Sequence, residues 1–539
     1  MEKANTIIIS NSIFDGLSNE CFKGYIAIKD LKILDIGKGD YNKYIDNETK
    51  ILDFKDKFVM PGIHDSHLHM FMSGLYNDPK VKVSMFDKSE DQCARSLKDI
   101  EDLVNKDEWL IGAGFYHTLW DEVKLPTKYS LDKYYKDRPV CMVSYDLHTL
   151  WLNSFGLKKL GIDANFKDIE GGLIDRDENG NPLGTFHEAA SCYCLQRIYN
   201  FDEEYIINFY KNFINLLSSY GITTVSDMSM MAIPGMDFIR DDILRSLEDK
   251  NQLNVKVFMY PTATLDMIRP LEMKNKYQGP LLYCNGVKQF FDGVSSCHTA
   301  WIKEEYSNAY FKGDVGKPII KPDDMKELVF AANRNNMSIR VHTIGDEAIH
   351  RMIDYFIEAN NIYKNRNIQN TLEHLENFQK EDISRISINN IVASCQPAHA
   401  VYDVEGVLRD LGKDRIKLMW PFKSLLNSGC TLAFGTDSPV VEVNPFINIY
   451  NAVTRKSFYH PMQKSFLENE KISVYEALVA YTYGSAKANN SSNIIGRLKK
   501  GMYADICVLD RNLLKIDVED IPSTKCLMTM VNGKIVYQL

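Results

Sequence analysis

The stretch Pro61-Gly62-Ile63-His64-Asp65-Ser66-His67-Leu68-His69 decides how this chain is read. The apolar run Phe58–His64 reads as a buried strand, and it leads directly into a cluster of ionisable side chains. Alternate residues of an extended chain face the same way, so His67 and His69 can reach one metal ion. An H-x-H pair is weak by itself; its place at the end of a strand gives it weight.

Seven further short apolar, β-branched runs follow the same plan: Thr223–Met228, Val255–Tyr260, Gly286–Phe291, Ile339–His342, Asn370–His374, Val392–Gln396 and Leu432–Thr436. Helical patterns fall between them at Ile206–Ser219, Pro322–Asn335, Glu347–Asn360 and Trp420–Ser428. Near-continuous apolar strands alternating with helices indicate a parallel sheet, and eight units predict an α/β fold, a (β/α)₈ TIM-type barrel. Its site belongs at the C-terminal strand ends.

Both chain ends carry short strands, Thr6–Ser10, Tyr25–Ile28, Lys32–Ile36 and Ile51–Phe54 at the front, then Ala504–Leu509, Cys526–Val531 and Lys534–Tyr537 at the back. Residues 1–57 and 488–539 are therefore expected to form one composite β-sandwich domain, and residues 58–487 the barrel. The stretch 71–204 is far too long for one βα connection. It is expected to be an inserted lid or substrate subdomain with strands of its own, Trp109–Ala113 and Val140–Tyr145.

The composition excludes other classes. Of the 539 residues, 45% are hydrophobic and 25% charged, a globular balance, and the formal net charge of −9 leaves no basic stripe for nucleic acid. Ile7-Ile8-Ile9 is too short for a signal peptide's apolar region, and no run is long enough to span a bilayer. A cytoplasmic protein without nucleic-acid or membrane partners is expected. Its 11 cysteines, without a C-x-x-C pair, are read as reduced thiols.

Four more candidate groups sit near later strand ends: Lys288, His342, His374 and Asp437. In a barrel those ends converge on one mouth. Taken singly, Lys288 reads better as half of an ion pair with Asp292 and the histidines as core residues, and Asp437 could be a turn cap. Together they form one constellation.

The order H-x-H, Lys, His, His, Asp resembles the amidohydrolase superfamily of metal-dependent hydrolases. The likeness is greatest to the amidohydrolase-3 branch, which includes N-substituted formamide deformylase and relatives of D-aminoacylase. Leu152-Asn153-Ser154, Gly171-Gly172-Leu173-Ile174, Gly184-Thr185-Phe186-His187-Glu188-Ala189, Ser394-Cys395-Gln396-Pro397-Ala398-His399 and Gly501-Met502-Tyr503-Ala504-Asp505 match that branch in order.

The resemblance implies one or two divalent ions, with zinc as first choice. His67 and His69 would hold one, His342 and His374 a second, and a Lys288 carbamate formed with carbon dioxide would bridge them. Asp437 would ligate the first ion and act as general base towards a water whose pKa the metal lowers. The implied reaction is hydrolysis of a non-peptide C–N bond, most simply that of a linear N-acyl or N-formyl amine. A cyclic amidohydrolase or deaminase on the same fold, and a non-catalytic binding scaffold, are the rival readings. The expected partner is a small-molecule amide, and the expected assembly a homodimer.

His148, in Asp146-Leu147-His148, and His399 resemble pocket positions of the branch and are read as donors to the carbonyl oxygen, or equally as structural groups. His64 and Asp65 are read as supporting the ligands. By strand alternation Glu376 shares the face of His374, whereas Glu373 points away. His298 stands where the branch often has Arg, which argues against an acidic substrate. Phe115, Tyr116, His117, Trp120, Trp151 and Trp301 would suit an apolar substrate or form a core of their own.

Overall fold

The computed structural model describes residues 2–83, 87–145, 147–231, 233, 237–364, 368–460 and 462–539. Two compact units emerge, Met1–His69 with Ile214–Leu539, and Met70–Phe213.

The first unit contains the eight anticipated parallel strands: β1 (Ile63–Leu68), β2 (Ile222–Met228), β3 (Lys256–Tyr260), β4 (Gly286–Phe290), β5 (Ser338–Thr343), β6 (Thr371–His374), β7 (Val392–Cys395) and β8 (Thr431–Phe434). Strands β1 to β3 pair in order, with the two-residue strand Leu282–Tyr283 beyond β3, and β4 to β8 form a second ordered run. Isolated parallel bridges, Thr262↔Lys288 and Leu68↔Ser438, connect the two runs. This is an α/β fold of the barrel type. Residues of β1, β2, β4 and β5 are buried along their whole length, which is why they read as unbroken apolar runs instead of alternating ones.

Two helices between the strands open on residues that suit a first turn. Pro322–Arg334 opens on a proline followed by Asp323 and Asp324, which suit the first turn and its dipole. Asp346–Ile362 likewise begins with two acids.

The first barrel strand differs from expectation. It begins at Ile63, and Phe58–Pro61 belongs to another sheet, paired with Ser12–Ile13 and Ile506–Leu509. Gly62 separates the two, where a Cβ would stand 2.1 Å from Thr223 Oγ1. One apolar run thus serves two strands, and hydrophobic period alone marks no break within it. His64, Asp65, Ser66 and His67 consequently lie on the barrel strand itself.

The terminal strands form one eight-stranded sheet in place of the expected two-sheet sandwich. Its order is Lys534–Gln538, Cys526–Val531, Ile506–Leu509, Phe58–Pro61, Thr6–Ile13, Phe22–Lys29 and Lys32–Gly37, with Lys50–Asp53 also pairing to Thr6–Ile13. Ile33 and Met528 come from strands far apart in that order yet share one apolar cluster with Ile8, Ile28 and Val508.

The second unit carries a six-stranded sheet ordered Gly172–Arg176, Pro182–Glu188, Thr149–Leu152, Val140–Ser144, Leu110–Phe115 and Val81–Val83. Phe115, Trp120 and Trp151 pack with Leu131, Tyr135 and Met142 into its core. Among the described residues no helix is long and apolar enough to cross a membrane.

Candidate functional site

Register places the site residues. In the β4–β5 ladder Lys288 stands opposite Arg340 and Phe290 opposite His342, and in the β5–β6 ladder His342 stands opposite Glu373 and Thr343 opposite His374. Residues opposite one another share a face, so Lys288, Arg340, His342 and Glu373 face one side. Alternation would send His374 the other way. The backbone prevents this: His374 and Leu375 have φ of 71° and 54°, which ends the strand geometry and lets Glu373 and His374 serve the same centre. Left-handed conformations at non-glycine residues are costly and cluster at functional sites. Asp437 has one too, at φ 59°.

The reading of Glu373 is thereby corrected. Its Oε2 lies 2.6 Å from His67 Nδ1 and its Oε1 accepts from Arg340 Nε at 2.5 Å. Burial by itself would raise this carboxyl, but Arg340 and His67 outweigh it and hold it at about 2. Glu376 instead is pushed up to about 8 by burial and by Asp292 and Asp437.

His67, His69 and Asp437 each present one atom within 4.8 Å of the others, and so do His374, His399 and Asp437. Among these, His69 Nε2 stands 3.1 Å and His67 Nε2 3.3 Å from Asp437 Oδ1. The outer nitrogens are already used. His67 Nδ1 donates to Glu373, His69 Nδ1 to the Met228 carbonyl at 2.9 Å, and His374 Nδ1 to Gln396 Oε1 at 2.9 Å. His342 Nε2 lies 3.2 Å from the Gly293 carbonyl, and its ring centroid is 4.3 Å from that of His374. A neutral imidazole bearing its proton on one nitrogen keeps a lone pair on the other. For His67 and His69 that lone pair faces Asp437.

Burial lowers His67 and His374; Glu373 and Asp437 oppose the effect at His67. Burial would raise the Asp437 carboxyl, yet His67, His69 and His374 outweigh it and keep it well below the usual carboxylate range. Asp437 N–H donates to the His67 carbonyl at 2.7 Å, and Asp65 accepts from both Thr436 N–H and Thr436 Oγ1. Gly435 permits this closeness, because a Cβ there would lie 2.4 Å from His67 N.

Lys288 is fully buried, and its Nζ has no hydrogen-bond partner among the described residues; it sits 3.7 Å from the centroid of the Phe290 ring. Burial brings it down to about 7, against the pull of Glu373 and Asp437. The ion pair with Asp292 is not formed. Asp292 instead accepts from Trp301, Ile344 and Gly345 N–H groups.

His64 lies lower in the barrel, where Nδ2 of Asn489 meets its Nε2 at 2.8 Å. The same Asn489 accepts through Oδ1 from Ser226, Tyr260 and Arg340. Asn489, Arg340 and Glu373 were not recognised from sequence. An arginine two residues before a candidate ligand on a buried strand was the available signal, since a buried cation demands a buried anion.

His148 belongs to the second unit, with Nδ1 2.8 Å from Glu188 Oε2; Asp146 lies outside the described residues. His298 is clasped between Tyr306 and Tyr310 at 4.0 Å, with Asp314 2.6 Å from its Nδ1. Trp301 packs edge-on against Phe291.

Comparison with known proteins identifies the scaffold. A sequence model of the amidohydrolase family matches residues 50–537. The chain belongs to the amidohydrolase family. It is similar to "Protein LONG AFTER FAR-RED 3" of Arabidopsis thaliana, at 28% identity over 99% of this chain and 92% of that one. It is also similar to the N-substituted formamide deformylase of Arthrobacter pascens, at 24% identity over 91% and 90%. Among solved structures, an uncharacterised metal-dependent hydrolase from Pyrococcus horikoshii OT3 has the same fold, with a TM-score of 0.76 at 24% identity over 95% of this chain and 99% of that one. The amidohydrolase is thus an enzyme of the hydrolase class, with a His/His/Asp group suited to a metal ion.

Proposed function

We propose that this amidohydrolase cleaves a non-peptide C–N bond of a linear amide, an N-acyl or N-formyl amine, at the mouth of a barrel closed by the Thr262↔Lys288 and Leu68↔Ser438 bridges. One observation carries the reading: His67 Nε2, Lys288 Nζ and His399 Nε2 are buried without hydrogen-bond partners among the described residues, and His67 and His399 face Asp437. Buried polar atoms are seldom left unmatched, and a set of them on ligating residues fits a divalent cation.

His67, His69 and Asp437 would hold one ion, His342 and His374 a second, with Lys288 as the bridge. An amine brought down to about 7 is a nucleophile at neutral pH, which is what carbamate formation with carbon dioxide requires. Zinc suits a donor set rich in imidazole. The ion supplies a Lewis acid and makes water acidic enough to lose a proton near neutrality. The chain's own residues do the rest. Asp437 takes the proton from the attacking water and returns it to the leaving nitrogen. His399, with Nε2 3.9 Å from Asp437 Oδ2, donates to the carbonyl oxygen as charge develops there. The likeness to a formamide deformylase supports the linear amide.

The test is metal content per chain, by elemental analysis after reconstitution with zinc and bicarbonate, in wild type and Lys288→Ala, followed by an amide library screen. About two ions, falling in the variant, is the expected result. No metal in wild type would overturn the reading. His399→Ala should retain metal and lose turnover; lost metal would make it a ligand.

A further inference from the structure

Beneath the proposed metal centre, one guanidinium gathers the barrel strands. Arg340 is fully buried on β5, two residues before His342 and on the same face. Its Nε donates to Glu373 Oε1 on β6 at 2.5 Å, and its Nη1 to Asn489 Oδ1 at 2.9 Å. Its Nη2 reaches the Ser66 carbonyl at 2.8 Å and Ser66 Oγ at 3.0 Å on β1, and Ser394 Oγ at 3.1 Å on β7. Its plane lies 4.9 Å from the centroid of the Tyr260 ring of β3. Residues of four other strands, together with Asn489, thus fix one planar group.

What this group does next is specific. The carboxylate it holds spends its second oxygen on His67 Nδ1, at 2.6 Å. A neutral imidazole has a single N–H, so accepting it at Nδ1 leaves the lone pair at Nε2, which faces Asp437. We propose that Arg340 is a positioning residue for the metal centre: by clamping Glu373 it fixes both the tautomer and the ring direction of His67. This rests on the reading of the site given above. Arginine suits the role because its fork of donors is rigid and engages several acceptors at once, whereas a lysine is a single mobile point charge. Ser394 provides a control, since its hydroxyl bonds the same guanidinium and Ser66 Oγ but not the Glu373 carboxylate.

The test is a double-mutant cycle on zinc affinity, measured by competition with a chromophoric chelator in full-length protein, with thermal melting recorded for each variant. Arg340→Met and Glu373→Gln should each weaken zinc binding about 10- to 100-fold, the usual effect of removing a ligand's outer partner. The double variant should lose no more than the worse single. Ser394→Ala should lower the melting temperature and leave affinity unchanged, which a merely structural role of Arg340 does not anticipate. In cobalt-loaded protein, Arg340→Met should alter the visible absorption band as His67 leaves the coordination sphere. If Arg340→Met does not fold, Arg340→Lys takes its place in the cycle. Wild-type affinity in the Arg340 variant, or losses that multiply in the double variant, would overturn Arg340's role while leaving the site reading intact. A wild type that takes up no zinc would overturn the site reading itself.

Discussion

The mouth and the floor of the strand bundle are built from similar residues and behave oppositely. On the floor, Asn489, Ser226, Tyr260, Arg340 and Glu373 pair donor with acceptor, while among the described residues His64 Nδ1 and Thr371 Oγ1 stay unmatched. At the mouth, His67, Lys288 and His399 keep buried nitrogens with no hydrogen bond among the described residues. Three residues near the mouth, His374, Leu375 and Asp437, also adopt left-handed backbone. A matched network stabilises a barrel; an unmatched set of lone pairs within reach of one carboxylate costs stability unless something binds there. The contrast separates what the chain needs in order to fold from what it retains for chemistry.

The largest expected effect tests the mouth. Asp437→Asn keeps the shape of the side chain but cannot accept a proton, so turnover should fall about 10²- to 10⁴-fold. Near-normal hydrolysis by that variant would remove Asp437 as the base. Next, His67→Ala and His342→Ala should lower metal content per chain while the far-ultraviolet circular dichroism stays that of wild type, because each removes a proposed ligand and only one buried hydrogen bond, to Glu373 and to the Gly293 carbonyl respectively. Full metal content in either variant would take that residue out of the ligand set.

Much of this division was legible in the chain. Eight strands, four of the helices between them and the candidate positions that the proposed site uses follow from apolar runs that end in ionisable groups, a local signal. Three features were hidden for physical reasons. The run from Phe58 onward contains two strands, and apolarity does not change at Gly62, where the chain passes between sheets. Glu373 was assigned to the wrong face because alternation assumes extended backbone, and His374 abandons it. Asn489 sits beneath β1, β2, β3 and β5, a long-range arrangement that no neighbouring residue announces.

The floor is tested by Asn489→Ala. It strands the Ser226 and Tyr260 hydroxyls and one Arg340 N–H, so unfolding free energy should drop by about 1–3 kcal/mol. Zinc stoichiometry should not change. A loss of metal instead would mean that the two layers are not separable.

The smallest effect is one of pH, and it comes from the floor's single imidazole. Burial and the nearby Arg340 charge hold His64 down to about 3, against an ordinary value of 6.5. Between those values the unfolded chain binds a proton that the folded one refuses, so stability rises with pH across the window and is lost as pH falls through 6.5 towards 3. Replacing it by glutamine, His64→Gln, keeps an acceptor for Asn489 and removes the titration. Going from pH 7.5 to 5.5, wild type should therefore lose about 1.4 kcal/mol more unfolding free energy than the variant, read from urea melts at the two values. Parallel losses would mean that His64 takes up its proton within the folded barrel, and the floor would then be as adjustable as the mouth.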